Sequence, residues 1–436
     1  MSAPIPAAPL KRVVGVAALG LNVVNLTVAA GIFGLPAIIA SILGPQAILA
    51  YLVCAALFGL VGLCMAESGS RVGGAGGLYA YASVPFGPIV GGIAGTLLWT
   101  ASGSVADAAI ASLLVDTLAA VSPAFAVPWV RTAVLLAVFA TVATINIRGV
   151  NHGLRLSVTL TVVKIAPLAL LVVGGLLFID PAKLAWTAIP PLRSIGEASV
   201  VLFYAFFGFE AALSMSSEIK KPSRTVPRGI FLGLLIIATL YVGLQVVAQG
   251  TMGSALAHSK APLVDVARVM FGSWGGGLMI LAVIISTTGC IAGDLLSTPR
   301  VLHAFAQQGQ LPSRIAMVHP RYGTPAVAIG VYAAICAALA LTGTFRQLST
   351  MASAGTLVLY LICCLGVLRL RARGVVSEGA AFRVPFGPVI PLCACAIILW
   401  MLSTLTSREL WTALVFISIV GGAYAVQEFR RQRARR

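Results

Sequence analysis

Charged side chains are scarce in this sequence of 436 residues: they make up 9% of the chain, whereas hydrophobic residues make up 59%. Several long stretches contain no charged residue at all, among them positions 13–66, 72–106, 229–259, 269–293 and 410–427. Each stretch has room for one or two helices of about 20 residues, the length that crosses about 30 Å of hydrocarbon. Soluble domains do not need such stretches, so the sequence indicates an all-α polytopic membrane protein.

Signatures of enzymes are also missing from the sequence. It contains no Walker loop, GxSxG elbow, HExxH pair or dinucleotide fingerprint. The eight cysteines lie in apolar segments without the spacing of metal ligands, so we interpret them as small packing residues. We therefore expect no catalytic residues, no metal and no cofactor.

Acidic residues are few: the sequence contains 12 of them and 29 lysines and arginines, which gives a net charge of +17. If the N-terminus is cytoplasmic, 21 of the 29 basic residues lie on the cytoplasmic side, seven lie on the outer side, and Lys164 lies within a span. This asymmetry follows the positive-inside rule and is not the footprint of a nucleic-acid partner. It predicts a protein of the inner (plasma) membrane that contacts membrane lipids and has both termini in the cytoplasm.

Glycine, proline and charge breaks divide the chain into twelve predicted transmembrane spans. Numbered one to twelve along the chain, they cover residues 13–40, 46–65, 88–118, 131–147, 157–179, 196–217, 229–250, 275–299, 325–343, 349–370, 387–404 and 410–427.

Two of these spans carry helix-breaking residues at mid-membrane. Span one contains Gly31, Gly34 and Pro36, and span six contains Gly208 close to Glu210. Non-helical backbone within a bilayer is tolerated only where protein or a water-filled cavity satisfies its polar groups. The two breaks therefore predict a shared internal cavity. The alternative is that these glycines only allow close helix packing.

Spans one and six are five helices apart, so they cross the membrane in opposite directions. This arrangement is typical of an inverted repeat. We predict a first repeat at 13–180 (helices one to five), a second at 190–374 (helices six to ten) and two appended helices at 385–427. The segments 1–12 and 428–436 are predicted to be cytoplasmic.

A break in a helix exposes groups that suit a small zwitterion. Free N–H groups and the positive end of the dipole at a half-helix N-terminus favour a carboxylate. The unpaired carbonyls of the unwound backbone favour an ammonium group. The sequence thus predicts a site for a small charged solute at mid-membrane.

Five sequence blocks, in order, resemble the amino acid, polyamine and organocation (APC) transporter superfamily over nearly the whole chain. They are Ala-Gly-Ile-Phe at 30–33 with Pro36, Glu-Ser-Gly-Ser-Arg at 67–71 with Gly-Gly-Leu-Tyr-Ala-Tyr at 76–81, Asn-Ile-Arg-Gly-Val at 146–150, Phe-Phe-Gly-Phe-Glu at 206–210 with the basic stretch 218–228, and Pro-Arg at 299–300 with Gly-Gln-Leu-Pro at 309–312. The resemblance implies a five-plus-five inverted repeat that transports amino acids by alternating access.

The resemblance also implies which residues hold the substrate. The backbone cradle would comprise Thr27, Ala30, Gly31 and Ile32 of span one with Phe206, Phe207 and Gly208 of span six, and Tyr204 would be an aromatic gate. Relatives often have serine at the position of Ala30, so here the carboxylate contact must come from backbone N–H groups. Without the motif around it, Tyr204 would be read as a core aromatic.

Lys164 lies well inside span five, where a charge is costly and is a functional candidate. Burial disfavours the charged ammonium, so this amine could exchange a proton or replace a bound sodium ion. Proton-coupled members of the superfamily resemble the chain in having lysine here, facing span one and a small hydroxyl that Ser286 could supply. The alternative is a permanently charged lysine that caps carbonyls of a broken helix.

Three acidic residues complete the predicted site. Glu210 matches an acid implicated in gating or protonation in relatives, and a structural hydrogen bond is the alternative. Asp294 falls at a position that lines the side-chain pocket in arginine-exchanging relatives, and Asp107 with Ser102 on span three could face the same pocket. A carboxylate there needs a cation, which is a substrate side chain or a neighbour such as Lys164. The alternative is that Asp294 lies one turn away, in a vestibule where water solvates it.

We therefore expect a secondary active transporter of amino acids, handling cationic amino acids or related amines and linked to protons or exchange. The alternative within this class is a carrier of small neutral amino acids. The alternative of another class is a transport-inactive amino acid receptor, which the lack of a soluble signalling domain disfavours. The sequence does not indicate the oligomeric state.

Overall fold

A computed structural model describes residues 15–72, 77–148, 154–186, 188–209, 222–307, 310–375 and 382–435. For some helical residues within these ranges, including Ala30, it describes only the backbone. The described residues form helices joined by short turns and loops, with no strand among them.

A helix lies at each of the twelve predicted positions. Span one consists of Val16–Thr27 and Leu35–Leu43; spans two to six are Ile48–Val72, Pro88–Val121, Pro128–Arg148, Leu154–Gly175 and Leu192–Phe203; spans seven to twelve are Pro222–Met252, Pro262–Gln307, Ala326–Thr342, Phe345–Ala372, Val389–Ser403 and Ser407–Arg435. A further helix, Gly77–Phe86, connects spans two and three.

Among the described residues, seven helical segments are long and apolar enough to cross a membrane, and four shorter apolar helices accompany them. Span eight is part of a longer helix, which turns sharply at Gly272 (φ 67°), so that a short segment beginning at Pro262 precedes the span. These helices confirm the predicted all-α polytopic membrane architecture. The repeat relation, the domain limits and the cytoplasmic position of both termini stay predictions.

Span one is interrupted at the predicted residues. Its first helix ends at Thr27, and the backbone continues through a short 3-10 turn, Ala30–Phe33, before the second helix begins at Leu35. Pro36 stands in the first turn of that helix, where its missing N–H leaves no hydrogen bond unmade. The break therefore combines glycines, which are weak helix formers, with a proline that favours the start of a new helix.

Span six also leaves the helical conformation at mid-span. Its helix ends at Phe203, followed by a tight turn, and Gly208 adopts φ 107°, which L side chains rarely adopt. A Cβ atom on Gly208 would lie 2.8 Å from the backbone oxygen of Leu26 in span one. Glycine is thus required both for the turn and for the approach of the two broken spans. Residues 210–221, including Glu210, lie outside the described residues.

A network around Glu67 joins the ends of spans two and ten. Arg371 donates to both carboxylate oxygens of Glu67, at 2.8 and 2.6 Å, and Arg71 donates at 2.8 Å. The backbone N–H of Val384 adds a fourth hydrogen bond at 2.8 Å. Glu67 is fully buried, so these donors replace the water it has lost. The network fixes residues that are 304 positions apart in the chain.

Candidate functional site

The two broken spans meet at Tyr204. A Cβ atom on Gly31 would lie 2.7 Å from the ring of Tyr204, so the ring packs directly on the interrupted backbone of span one. The hydroxyl of Tyr204 donates to the backbone oxygen of Ala106 in span three at 2.6 Å. Tyr204 therefore connects spans one, three and six at the break.

An aromatic cluster surrounds Tyr204. Its ring makes edge-to-face contacts with Phe207 and with Phe345 at the start of span ten, with ring centroids 5.3 and 5.8 Å apart. A Cβ atom on Gly34 would meet Leu113 at 2.5 Å and Phe345 at 3.2 Å, so span one packs tightly against spans three and ten here. The cluster closes one side of the break with apolar side chains.

Tyr241 of span seven holds the backbone of both breaks. Its hydroxyl lies 3.2 Å from the carbonyl oxygen of Thr27 and 3.0 Å from that of Ala205, and can donate to either. The side chain is fully buried. Sequence reasoning missed this residue, because a tyrosine in an apolar helix resembles an ordinary core aromatic. The sequence feature that could have identified Tyr241 is a side-chain hydroxyl at the same membrane depth as the two helix breaks, where backbone carbonyls need a donor.

Lys164 reaches span one from span five. Its Nζ atom donates to the backbone oxygen of Asn25 at 2.5 Å, within the last turn before the break, and the side chain is buried. A cation on the last carbonyls of a helix interacts favourably with the helix dipole. Both alternatives for Lys164 place its ammonium group at span one, so this contact does not choose between them. Ser286 of span eight is buried, and among the described residues its Oγ atom has no hydrogen-bond partner.

Asp107 and Asp294 come together, as the shared-pocket hypothesis requires. The hydroxyl of Tyr332 in span nine donates to Oδ2 of Asp107 at 2.9 Å, and the side chain of Asp294 interacts with the same carboxyl group. Asp107 is fully buried, whereas Asp294 is partly exposed. Lys164 donates to the backbone oxygen of Asn25. The described ion pairs do not join Lys164 to Asp294, as one alternative proposed.

No basic side chain that the structure describes lies within 4 Å of the Asp107 carboxyl group. Two unit charges of the same sign, 4 Å apart, repel by about 4 kcal/mol at an effective dielectric constant of about 20. Two adjacent carboxylates therefore need a cation or a proton between them. Among the described residues, no basic side chain supplies such a cation to Asp107.

The helix of span three widens just before Asp107. Residues Thr100–Val105 form a π-helix, a rare conformation that is frequent at functional sites. Gly103 lies within it, and a Cβ atom there would come 2.9 Å from the hydroxyl of Tyr332. The glycine thus allows Tyr332 to reach the carboxyl pair. Sequence patterns do not reveal a π-helix, and Tyr332 was missed for the same reason as Tyr241.

Ser102 also lies in the π-helix but has its own partner. Its hydroxyl is 2.8 Å from that of Thr356 in span ten. No described contact joins Ser102 to the carboxyl pair, so the structure places it at the contact between spans three and ten.

The remaining predicted residues differ in their surroundings. Ala30 begins the 3-10 turn that also contains Ile32, and Ile32 is fully buried. Thr27 is fully buried, and its hydroxyl has no hydrogen-bond partner among the described residues. Phe206 packs against Phe58 and Tyr241, with ring centroids 6.2 and 5.2 Å apart, so its side chain supports the break from the interior.

Comparison with known proteins adds independent information. A family model described as amino acid permease matches residues 13–424. A methylthioribose transporter of Bacillus subtilis is 25% identical, with 96% of this chain and 94% of that protein covered. A serine/threonine exchanger, SteT, of the same organism is 28% identical, with 89% of each chain covered.

A third relative is the vacuolar cationic amino acid transporter 4 of Arabidopsis thaliana, which is 29% identical, with 80% of this chain and 61% of that protein covered. The names of the three relatives give methylthioribose, serine and threonine, and cationic amino acids as their substrates. At these levels of identity the relatives agree on transport and differ in substrate, so the residues of the site must be used to choose among substrates.

Proposed function

Because the chain belongs to the amino acid permease family, we propose that this multi-pass membrane protein transports cationic amino acids or related amines by alternating access. The observation that carries the choice of substrate is the carboxyl pair of Asp107 and Asp294. Carboxylates suit the ammonium or guanidinium group of a substrate side chain, and in the described part of the chain no basic side chain lies within 4 Å of the buried Asp107 carboxyl group.

The backbone around the two breaks would hold the α-amino and α-carboxylate groups. Carbonyls freed by the unwinding of spans one and six would accept from the ammonium, and N–H groups of the 3-10 turn Ala30–Phe33 would donate to the carboxylate. Tyr204 packs on Gly31 at this point, so movement of its ring would control access to the cradle. Tyr241 would keep the unwound backbone in place through Thr27 and Ala205.

For Lys164 we propose the role of a fixed cation that replaces a bound sodium ion. Its contact with the carbonyl oxygen of Asn25 puts a positive charge next to the break. Such a charge stabilises the C-terminal end of the first half-helix of span one. The hydroxyl of Ser286 would belong to the same region. The five-plus-five inverted repeat, with domain limits as predicted, is the architecture that this cycle would use.

The proposal is tested by binding to the detergent-purified protein. Because a ligand stabilises the state it binds, a panel of lysine, arginine, ornithine, putrescine, serine and leucine should raise the melting temperature selectively. We expect stabilisation by the cationic compounds, and counterflow of labelled lysine in liposomes containing the protein. Stabilisation by serine or leucine alone would favour the neutral-substrate alternative, and binding without counterflow would favour a receptor.

The variant Asp294→Asn separates the two substrate classes. A cation carrier should lose at least about tenfold in affinity for lysine, the equivalent of about 1.4 kcal/mol. A carrier of neutral amino acids would be almost unaffected. Asp265→Asn is the matched control, because Asp265 lies on the short segment that precedes span eight in the same long helix, in a partly exposed ion pair with Arg268.

A further inference from the structure

The two halves of span three are held by different partners. In the half before the π-helix, the hydroxyl of Thr96 is 3.1 Å from that of Tyr424 in span twelve. In the half after it, the backbone oxygen of Ala106 accepts from the hydroxyl of Tyr204 at 2.6 Å. The π-helix Thr100–Val105 therefore joins two segments whose orientations are fixed independently.

The π-helix determines which way Asp107 faces. A π-turn holds one residue more than an α-turn, and each residue of an α-helix turns the chain by about 100°. Asp107 follows Thr96 by eleven positions, about three turns, so in a continuous α-helix the two side chains would lie on the same face. The extra residue turns Asp107 by about 100° away from that face.

The two faces have opposite surroundings. The Thr96 face points to span twelve, in which no residue of the described range Ser407–Val426 is buried. On the observed face, Asp107 is fully buried and accepts from Tyr332 of span nine at 2.9 Å, one residue after the carbonyl that binds Tyr204. The extra residue thus places the carboxyl group inside the protein and not towards its periphery.

Span ten holds the π-helix in place. A Cβ atom on Gly355 would lie 2.4 Å from the Cβ atom of Ala101, so the two helices are in close contact there. The hydroxyl of Ser102 is 2.8 Å from that of Thr356. Two consecutive residues of the π-helix therefore contact two consecutive residues of span ten, which fixes the position of the widened turn.

Gly103 allows Tyr332 to reach Asp107. A Cβ atom on Gly103 would lie 2.9 Å from the hydroxyl of Tyr332, which is closer than real Cβ atoms approach. A larger residue would displace this hydroxyl, the donor to Oδ2 of Asp107. Gly103 therefore acts on the carboxyl group through Tyr332.

We propose that the extra residue of the π-helix directs the Asp107 carboxyl group towards the substrate side chain, so that the π-helix sets the preference of the permease for cationic substrates. Gly103 is a positioning residue in this arrangement, because it leaves room for the Tyr332 hydroxyl beside that carboxyl group. This inference rests on the proposed function and names the backbone feature that selects the substrate class.

Deletion of Ser104 tests the direction of Asp107. The hydroxyl of Ser104 donates to the backbone oxygen of Thr100 at 3.2 Å, so the deletion removes no described hydrogen bond to another span. We expect the shortened segment to form a continuous α-helix and the affinity for lysine to fall at least about tenfold, because a charge-assisted contact is lost. Insertion of an alanine after Val105 in the shortened protein should restore the affinity.

Norleucine distinguishes loss of the carboxyl contact from general damage. It has the carbon chain of lysine without the side-chain ammonium group, so it should keep its affinity when Ser104 is deleted. The measured quantity is the ratio of lysine to norleucine affinities, from calorimetric titration of the full-length purified protein and competition between the two ligands. A purely structural role of the π-helix would lower both affinities by the same factor.

Gly103→Ala tests the positioning role without a change in the length of span three. It should weaken lysine binding about tenfold, the factor expected for Tyr332→Phe. The double variant should bind no more weakly than either single variant, because both changes remove the same hydrogen bond. Gly92→Ala is the matched control: its Cβ atom would meet another tyrosine, Tyr424, at 2.7 Å, in the half of span three before the π-helix. The control should keep the ratio of lysine to norleucine affinities.

Three results would overturn the inference. An undiminished preference for lysine over norleucine after deletion of Ser104 would show that the π-helix does not direct Asp107, and it would leave the proposed function intact. Additive losses in the double variant would contradict the positioning role of Gly103. Failure of lysine, arginine, ornithine and putrescine to bind the unaltered protein would overturn the proposed function together with the inference. If the shortened protein melts at a much lower temperature and binds neither ligand, Gly103→Ala and the double variant decide the question.

Discussion

Two carboxyl groups of this protein, Glu67 and Asp107, are both fully buried, but their surroundings are opposite. Glu67 accepts hydrogen bonds from Arg71, Arg371 and the backbone of Val384. Asp107 accepts one from Tyr332 and adjoins a second acid.

The difference indicates different uses of a buried negative charge. A carboxylate that the fold itself neutralises contributes to structure, because its donors hold distant segments together. A carboxyl group such as that of Asp107, with no basic side chain within 4 Å in the described part of the chain, is suited to a ligand that supplies a cation. The following variants test this comparison, from the largest expected effect to the smallest.

Glu67→Gln should have the largest effect on stability. Removing the charge leaves Arg71, which is 3% exposed, without its counter-ion, and breaking such a buried pair costs about 3–5 kcal/mol. We expect a marked fall in the melting temperature in detergent, followed by tryptophan fluorescence. Asp107→Asn is the matched control, with the same loss of charge at the other buried carboxyl group, and should melt close to the unaltered protein. Equal destabilisation by both variants would invalidate the comparison.

Lys164→Met tests a buried charge that binds backbone instead of a carboxylate. The substitution keeps a similar volume and removes the hydrogen bond to Asn25, and bonds to charged groups contribute about 1.5–3 kcal/mol. We expect a moderate fall in melting temperature and slower lysine counterflow. A melting temperature and a counterflow rate equal to those of the unaltered protein would contradict the role proposed for Lys164.

Tyr332→Phe should weaken lysine binding by a factor of about ten, because it removes a hydrogen bond to a charged acceptor. Titration calorimetry measures the change. Tyr51→Phe is the control: the hydroxyl of Tyr51 is also buried, but it has no hydrogen-bond partner among the described residues. That variant should bind lysine normally. A similar loss in both variants would mean that any buried tyrosine hydroxyl has the same effect.

Arg346→Gln should have the smallest effect. Arg346 donates to Glu197 at 3.1 Å, but both side chains are about half exposed, and exposed ion pairs contribute about 0–1 kcal/mol. Its melting temperature should be almost unchanged, whereas Arg371→Gln, which removes two donors of Glu67, should melt clearly lower. The reverse order would show that the exposure of an ion pair does not decide its contribution in this protein.

The sequence predicted the helical spans and the positions of the breaks, because these depend on local composition. Charge-free stretches marked the spans, and Gly31, Gly34 and Pro36 marked the interruption that the structure contains. The ends of the helices were less predictable. The helix of span two continues to Val72, beyond the predicted limit at residue 65, since Glu67 and Arg71 are neutralised within the protein.

Partners that lie far apart in the chain could not be predicted. Asp107 and Asp294 were each identified as unusual charges, and their common pocket was a hypothesis that only the packing of spans three and eight could decide. In the sequence Glu67 is visible only as part of a family motif, because its partner Arg371 lies 304 residues later. Tyr241 and Tyr332 were missed because their interactions depend on where folding places the hydroxyl: beside the broken backbone for Tyr241 and beside Asp107 for Tyr332.

A structure determined with bound lysine tests the central claim most directly. We predict that the side-chain ammonium lies between the carboxyl groups of Asp107 and Asp294, within hydrogen-bonding distance of both, while the α-amino and α-carboxylate groups contact the unwound backbone near Gly31 and Phe207. Lysine bound with its ammonium group away from both acids, or bound outside the two breaks, would contradict the account.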